Sequence, residues 1–172
     1  MSFARKLPGI ALIALCTAAS IGAEVIDRVM ATVNRQAILL SDVNAARLFQ
    51  LVPPAGGGDP IASTLDRLIE RSLILEEVER YQPPEPAREE IDTRLAAIRQ
   101  RFRAADAFPR ALATVGLSEE QLRGFIRNDL RMATYINERF AVTESGARET
   151  LVAEWVVSLR RRAEVIVLYL PG

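Results

Sequence analysis

Histidine is missing from all 172 residues of the chain, and cysteine occurs once, at Cys16. Histidine is the commonest general base, and it completes the Ser-His-Asp and Cys-His nucleophile systems. It also belongs to most zinc ligand sets. These absences argue against the familiar hydrolases and zinc enzymes. We predict no catalytic residue, no metal site and no cofactor.

The chain also lacks an excess of charge of either sign. It carries 22 Lys and Arg side chains against 22 Asp and Glu. A nucleic-acid binder or a polybasic membrane binder would be clearly basic, so we expect no nucleic-acid partner. Hydrophobic residues make up 49% of the chain, which suffices for one core of ordinary size.

The N-terminal segment has the pattern of an export signal. Arg5 and Lys6 precede an apolar stretch over residues 7–18, and a small-residue step ends at Ala23. We therefore predict a signal peptide over residues 1–23, cleaved after Ala23. An uncleaved anchor is the alternative, although the apolar stretch is shorter than the roughly 20 residues that span a bilayer. Outside this segment 20 basic residues (22 minus Arg5 and Lys6) face 22 acidic ones.

The mature chain predicts a strand hairpin, a series of helices and a final strand. Proline and glycine clusters separate the helices, and Ser118 with Gln121 forms a capping-box pattern. Gly116 is placed to end the helix before it. The predicted elements are strands Val25–Val33 and Ala37–Leu40, helices from a Ser41-Asp42 cap to Leu51, Pro60–Tyr81, a third ending near Phe102, Phe108–Val115, a long helix from Ser118 to about Phe140, a last helix opened by Thr143 with Leu151 on its apolar face, and a strand Val165–Leu170.

The final strand needs a partner inside the fold, because a lone apolar strand exposes an unpaired edge. The other strand-like segments lie at the opposite end of the chain. We therefore predict that the two ends meet in one small sheet packed on the helices. The fold class is mainly α, with one domain over residues 24–172 that comprises a helical core (42–140) and a closing helix and strand (143–170).

In this order, the segments resemble the SurA and PpiD-type periplasmic chaperones. The opening of that family is a strand hairpin that enters a helix at a Ser-Asp-Val step, as at residues 27–34 and 38–43. Three later stretches are also similar to that family: residues 65–69 with 73–75, residues 116–118 with 122–130, and Trp155 with residues 159–165.

The chain departs from the SurA pattern in one respect. SurA places one or two parvulin prolyl-isomerase domains between the long helix and the closing helix. Here only residues 141–146 separate the two helices, whereas a domain needs on the order of 100 residues. We therefore expect no enzyme activity.

The resemblance implies a periplasmic chaperone that binds unfolded polypeptides, among them precursors of outer-membrane or secreted proteins. Candidate peptide contacts are Phe49, Leu51, Phe102, Phe108 and Tyr135. Core packing is the alternative interpretation of all five, since aromatic and aliphatic side chains are usually buried. Two other functions stay open: an accessory subunit that docks one dedicated partner, and a prolyl isomerase by family association.

Three further patterns suggest chemistry but have simpler interpretations. Glu89-Glu90 and Glu119-Glu120 begin predicted helices, where acidic side chains complement the helix dipole. The glycines at residues 56–58 lack the Lys-Ser/Thr of a phosphate loop and are typical of a linker. The arginines at residues 160–162 suit the end of a helix.

Overall fold

A computed structural model of the chain describes residues 27–53, 58–141 and 145–170. The predicted signal peptide and its cleavage site lie outside these residues, as do Val25 and Thr143. The described part is mainly α, as predicted. Its elements are β1 (Val29–Val33), β2 (Gln36–Leu39), α1 (Leu40–Leu48), α2 (Pro60–Tyr81), α3 (Arg88–Arg99), α4 (Ala107–Thr114), α5 (Glu119–Arg139), α6 (Ser145–Arg162) and β3 (Val165–Val167).

The two ends of the described chain meet in a three-stranded antiparallel sheet, which confirms the predicted closure. The strand order is β2-β1-β3. Val33 pairs with Val165, and Ala31 pairs with Val167. The regular part of β3 ends at Val167, three residues earlier than predicted. At this point the amides of Leu168 and Tyr169 both donate to the carbonyl of Met30 (2.9 and 3.1 Å), so the even alternation of the ladder stops.

The hairpin turn also joins β3 and α2. Its two central residues, Asn34 and Arg35, have positive φ angles of 45° and 72°, as in a type I′ turn. The Asn34 amide nitrogen donates to the Glu164 carbonyl (2.9 Å), and its side-chain oxygen accepts from the Glu164 amide (2.8 Å). The Asn34 side-chain nitrogen donates to the Glu76 carboxylate of α2 (2.6 Å). Asn34 therefore links the hairpin turn to the residue before β3 and to helix α2.

The first helix begins and ends earlier than predicted. Ser41-Asp42 is not its N-cap, because Leu39 occupies that position. Asp42 acts instead from the third helical position, where its carboxylate accepts a hydrogen bond from the Leu39 amide (2.8 Å). After Leu48 the left-handed φ of Gln50 (49°) ends the helix, and the Leu51 amide donates back to Ala46 (2.9 Å).

The later helices follow their sequence signals more closely. The long helix α5 starts with the predicted capping box: the Ser118 amide donates to Gln121 (2.8 Å), and the Gln121 amide donates to the Ser118 hydroxyl (3.1 Å). Gly116 ends α4 with a φ of 64°. The third helix stops at Arg99 rather than near Phe102. Leu151, predicted on the apolar face of the last helix, is 41% exposed, so that face is not covered at this position.

Helix α2 is the centre of the molecule. It packs against α1, β1, α5 and α6. Its buried side chains Leu65, Ile69 and Val78 lie in a first core that also includes the sheet and α6. A second core lies between α3, α4 and the N-terminal half of α5, and contains Leu95 and Leu122. Within the described residues, no helix has both the length and the hydropathy needed to span a membrane.

The Asn34 contacts predict a measurable loss of stability. Asn34→Ala removes the side-chain hydrogen bonds and places a residue that disfavours left-handed backbone at φ 45°, so we expect a loss of about 2–3 kcal/mol. Asn34→Gly loses the same bonds but tolerates the backbone, so its loss should be smaller by about 1 kcal/mol. Urea unfolding followed by circular dichroism measures both; equal stability of wild type and Asn34→Ala would contradict the assignment.

Candidate binding groove

Three of the five sequence-predicted contacts form one aromatic cluster in the second core. The ring centroid of Phe49 lies 5.6 Å from that of Phe102 and 6.0 Å from that of Phe108, and Phe102 and Phe108 are 5.7 Å apart. Phe49 and Phe108 are buried, with 1% and 4% of their surface exposed, and Phe102 is half-buried. The cluster packs the second core, and contact with a peptide stays a prediction for these residues.

The other two predicted contacts lie elsewhere. Leu51 is half-buried and packs against both cores. Tyr135 is buried on α5, with its ring 5.2 Å from Tyr81 and 5.8 Å from Trp155. The structure therefore brings only the three phenylalanines together, while Leu51 lies between the two cores and Tyr135 lies in the first core.

An open apolar groove lies on another side of the molecule, between α2, α5 and α6. Its volume is about 670 Å³. The apolar lining comes from all three helices: Ile74, Ile136, Val152, Ala153, Val156 and Val157. Val157 is 49% exposed and Ala153 is also exposed, so these two side chains of α6 face solvent, whereas Ile74 at the base of the groove is buried.

Polar side chains form the rim of the groove. Arg67 and Glu70 of α2 form an ion pair with a separation of 2.9 Å. On the facing side Arg148 donates a hydrogen bond to the side-chain carbonyl of Asn137, and Glu149 lies beside it. The rim thus has charges of both signs around an apolar floor, an arrangement typical of sites that bind apolar segments without a strong charge preference.

Trp155 holds α6 in place as one wall of the groove. Its ring packs against Tyr135 and Phe140 of the α5 side, with both centroid separations 5.8 Å. The Arg139 guanidinium lies 5.2 Å from the centroid of the indole ring. Only 8% of Trp155 is exposed. The apolar α6 side chains that line the groove lie within one helical turn of Trp155. The aromatic contact therefore fixes their position.

Ion pairs hold α5, the second wall. Arg127 forms a bidentate pair with Glu85 of the α2–α3 connection (2.5 and 2.6 Å). Arg131, one turn later, is buried and pairs with Glu79 at 2.5 Å. The hydrogen bond from Arg127 lowers the pKa of the Glu85 carboxyl, and the positive charges of Arg127 and Arg131 lower it further.

A third pair joins α5 directly to α2. The Arg71 Nε donates to Asp129 (3.0 Å), and its terminal nitrogen donates to the Phe125 carbonyl (3.1 Å). The Arg71 guanidinium also lies 3.5 Å from the centroid of the Phe125 ring. Burial raises the pKa of Asp129, although the charge and hydrogen bond of Arg71 oppose that shift. The angle between two walls of the groove therefore depends on a partly buried ion pair.

Across residues 27–53, 58–141 and 145–170, no group of three or more His, Cys, Asp or Glu is placed to hold a metal ion. A cavity of about 760 Å³ lies beside Pro53 and Gly58. Residues 54–57, which follow Pro53 in the sequence, lie outside the described residues, so we assign this cavity no site.

Reasoning from the sequence missed most of the groove. Val152 and Val156 belong to the predicted apolar face of the last helix, but Val157 lies outside that stripe and carried no signal. Ile136 follows the helical spacing of α5, and Ile74 gave no signal of a site. Since each stretch is periodic only within its own helix, the sequence does not show which faces meet.

Comparison with known proteins identifies one distant relative. No family model matches the chain. The chaperone SurA of Pseudomonas fluorescens is 29% identical over 152 residues, which cover 81% of this chain and 35% of the relative. The chain therefore spans about a third of the length of that curated relative. The homology is weak, and the helical fold, with no parvulin-like fold in its described part, is consistent with a SurA N-terminal-like module.

The Glu85 pair predicts a dependence of stability on pH. Because its pKa is lowered in the folded protein, the pair stabilises fully above the ordinary glutamate pKa of about 4.3, and this contribution is lost as the pH falls through the lowered value. Glu85→Gln should therefore reduce the urea midpoint at pH 7, and this effect should shrink as the pH falls through the lowered pKa of Glu85. Glu138→Gln, on the exposed surface of α5, is the control. If the difference in urea midpoint between the wild type and Glu85→Gln grew as the pH fell, this assignment would be contradicted.

Proposed function

We propose that this protein is a chaperone-like module that binds unfolded or extended polypeptide segments, with the groove between α2, α5 and α6 as its main site. The observation that carries the proposal is the open apolar lining of that groove, about 670 Å³ in volume and contributed by three helices. The weak homology to the chaperone SurA supports a chaperone-like role at the level of the family.

The groove is suited to many clients rather than to one. An apolar floor gives affinity through burial of apolar surface, which is non-directional and makes little demand on sequence. Arg67 is paired with Glu70, and Arg148 is hydrogen-bonded to Asn137. These polar side chains of the rim therefore have partners within the protein, and few of them require a specific group on the client. Leu51 and Phe102, both half-buried, are proposed as secondary contacts.

The proposed activity is binding without catalysis. Helix α5 ends at Arg139 and α6 begins at Ser145, so residues 140–144 alone lie between them. This is the position at which the SurA pattern would carry a parvulin domain. A prolyl-isomerase assay on a proline peptide is expected to give the uncatalysed rate.

We further propose that the protein acts in the periplasm, on precursors of outer-membrane or secreted proteins. The predicted signal peptide over residues 1–23 supports export. Residues 24–172 then form the mature chaperone domain. An accessory subunit for one dedicated partner is the competing function. A pull-down that returned one stoichiometric partner instead of several unfolded clients would favour it.

Val157 tests the groove. Val157→Glu places a charge on its apolar lining, so we expect affinity for an unfolded β-barrel protein to fall about tenfold or more, because the bound segment would bury that carboxylate. Stability should change by less than about 0.5 kcal/mol, since the side chain is half-exposed. Suppression of aggregation, followed by light scattering, and fluorescence anisotropy measure the effect.

Leu151→Glu is the matched control. It introduces the same charge on the same helix at a side chain that is 41% exposed but does not line the groove. We expect this variant to protect the client as the wild type does. If both variants lost activity equally, the groove would not be the site. If the wild-type protein bound no unfolded client, the proposed function itself would be wrong.

The export signal gives a separate prediction. When the full chain is expressed in a Gram-negative host, the protein in the periplasmic fraction should begin at Glu24. Intact-mass measurement would show the loss of residues 1–23. Replacing Ala23 by a large residue should block processing, because cleavage requires small side chains near the site. An unprocessed protein retained in the membrane fraction would instead indicate an uncleaved anchor.

A further inference from the structure

The outer edge of β3 has free backbone groups. The Asn34–Glu164 and Met30–Leu168 hydrogen bonds show that residues 164, 166 and 168 direct their backbone groups towards β1. By the alternation of an antiparallel ladder, Val165 and Val167 direct theirs away from β1. Within the part of the chain that the structure describes, these outward groups have no hydrogen-bond partner.

The side chains at this edge are apolar and exposed. Ile166 and Val167 are each 47% exposed, Leu168 is 51% exposed and Leu170 is 82% exposed. Residues 165–170 contain no charged residue and no proline. Natural edge strands usually carry such residues, since these prevent pairing with another chain. The edge of β3 therefore keeps the features that favour addition of a strand.

We propose that the edge of β3 binds an extended client segment, which adds to the sheet as a fourth strand. The proposal rests on the proposed chaperone function and specifies how the protein binds a client: as an added β-strand. Outward N–H and C=O groups in strand geometry match another extended backbone. The exposed Ile166 and Leu168 side chains favour a segment with apolar residues at alternate positions.

The dimensions of the edge favour a transient client over a second copy of the chain. The three residues of β3 are about 10 Å long in extended conformation. A strand laid along them buries an area on the order of a few hundred Å², well below the roughly 1,200 Å² of the smallest stable interfaces. Weak pairing of this kind suits a chaperone, which must release its client.

Val167→Pro tests the edge without disturbing the fold. The Val167 amide points away from β1, so proline at this position removes an outward donor and no hydrogen bond of the existing sheet. Val167→Thr, which keeps the amide and the branched side chain, is the matched control. The probe is a fluorescein-labelled eight-residue peptide of alternating valine and threonine, read by fluorescence anisotropy. A second peptide of the same sequence, N-methylated at its central amides, tests the backbone independently of any change in the protein.

We expect the wild-type protein and Val167→Thr to bind the unmodified peptide within about twofold of each other. Val167→Pro, and separately the N-methylated peptide, should each weaken binding about tenfold or more, because strand addition depends on backbone hydrogen bonds. Urea unfolding of Val167→Pro should match that of the wild type. If Val167→Pro were unstable, binding of the N-methylated peptide to the wild-type protein would alone decide whether binding depends on backbone hydrogen bonds.

Four results would overturn the proposal. If neither Val167→Pro nor N-methylation weakened binding, while Val157→Glu abolished it, clients would use the groove alone and the chaperone function would stand. The same holds if the wild type protected an unfolded β-barrel protein but did not bind the peptide. A wild-type dimer that Val167→Pro dissociated in sedimentation velocity would assign the edge to a second copy. Failure to bind both peptide and unfolded protein would refute the proposed function as well.

Discussion

The pairing of β3 with β1 is the constraint on which the rest of the structure depends. This pairing joins residues 130 or more positions apart in the chain, such as Val33 and Val165. Because β3 follows α6 directly, the pairing also returns α6 to the surface of α2. Bringing two distant segments together costs chain entropy, which the Asn34 hydrogen bonds and the Trp155 contacts offset. Without closure at the sheet, α6 would have no fixed position and the groove would have no third wall.

The groove and the β3 edge are two consequences of this closure. The groove forms because α5 and α6 both pack on α2 while residues 140–144 alone connect them. Ion pairs to α2 and to the α2–α3 connection hold α5, whereas α6 is held by the aromatic packing of Trp155 and by one ion pair, from Arg160 to Asp66 of α2 (3.1 Å). The edge forms because β3 pairs with β1 on one side only, and within the described residues no further strand covers the other side of β3. Both surfaces expose apolar groups that a protein without partners would normally bury.

Local signals predicted the elements well where one side chain controls the backbone. The Ser118–Gln121 capping box and the left-handed Gly116 lie where the sequence places them, because both act within a few residues. The start of α1 was wrong because Asp42 is able to accept the Leu39 amide from inside the helix as well as from a cap position. Leu151 belongs to the predicted apolar face of the last helix but is exposed, since helical spacing cannot show how wide the covered part of a face is. The groove was missed for a related reason, because Val157 becomes part of a site only through Ile136 and Ile74 on other helices.

The sequence by itself determined the mainly α class, the order of the elements, the need of the last strand for a partner, and the resemblance to SurA-type chaperones. These follow from periodicity, capping residues and turn residues, which act over short stretches of chain. Only the tertiary structure decided which apolar faces stay open to solvent and which edge of the sheet stays unpaired. A side chain is buried or exposed according to what other elements place against it, and that depends on contacts between residues far apart in the sequence.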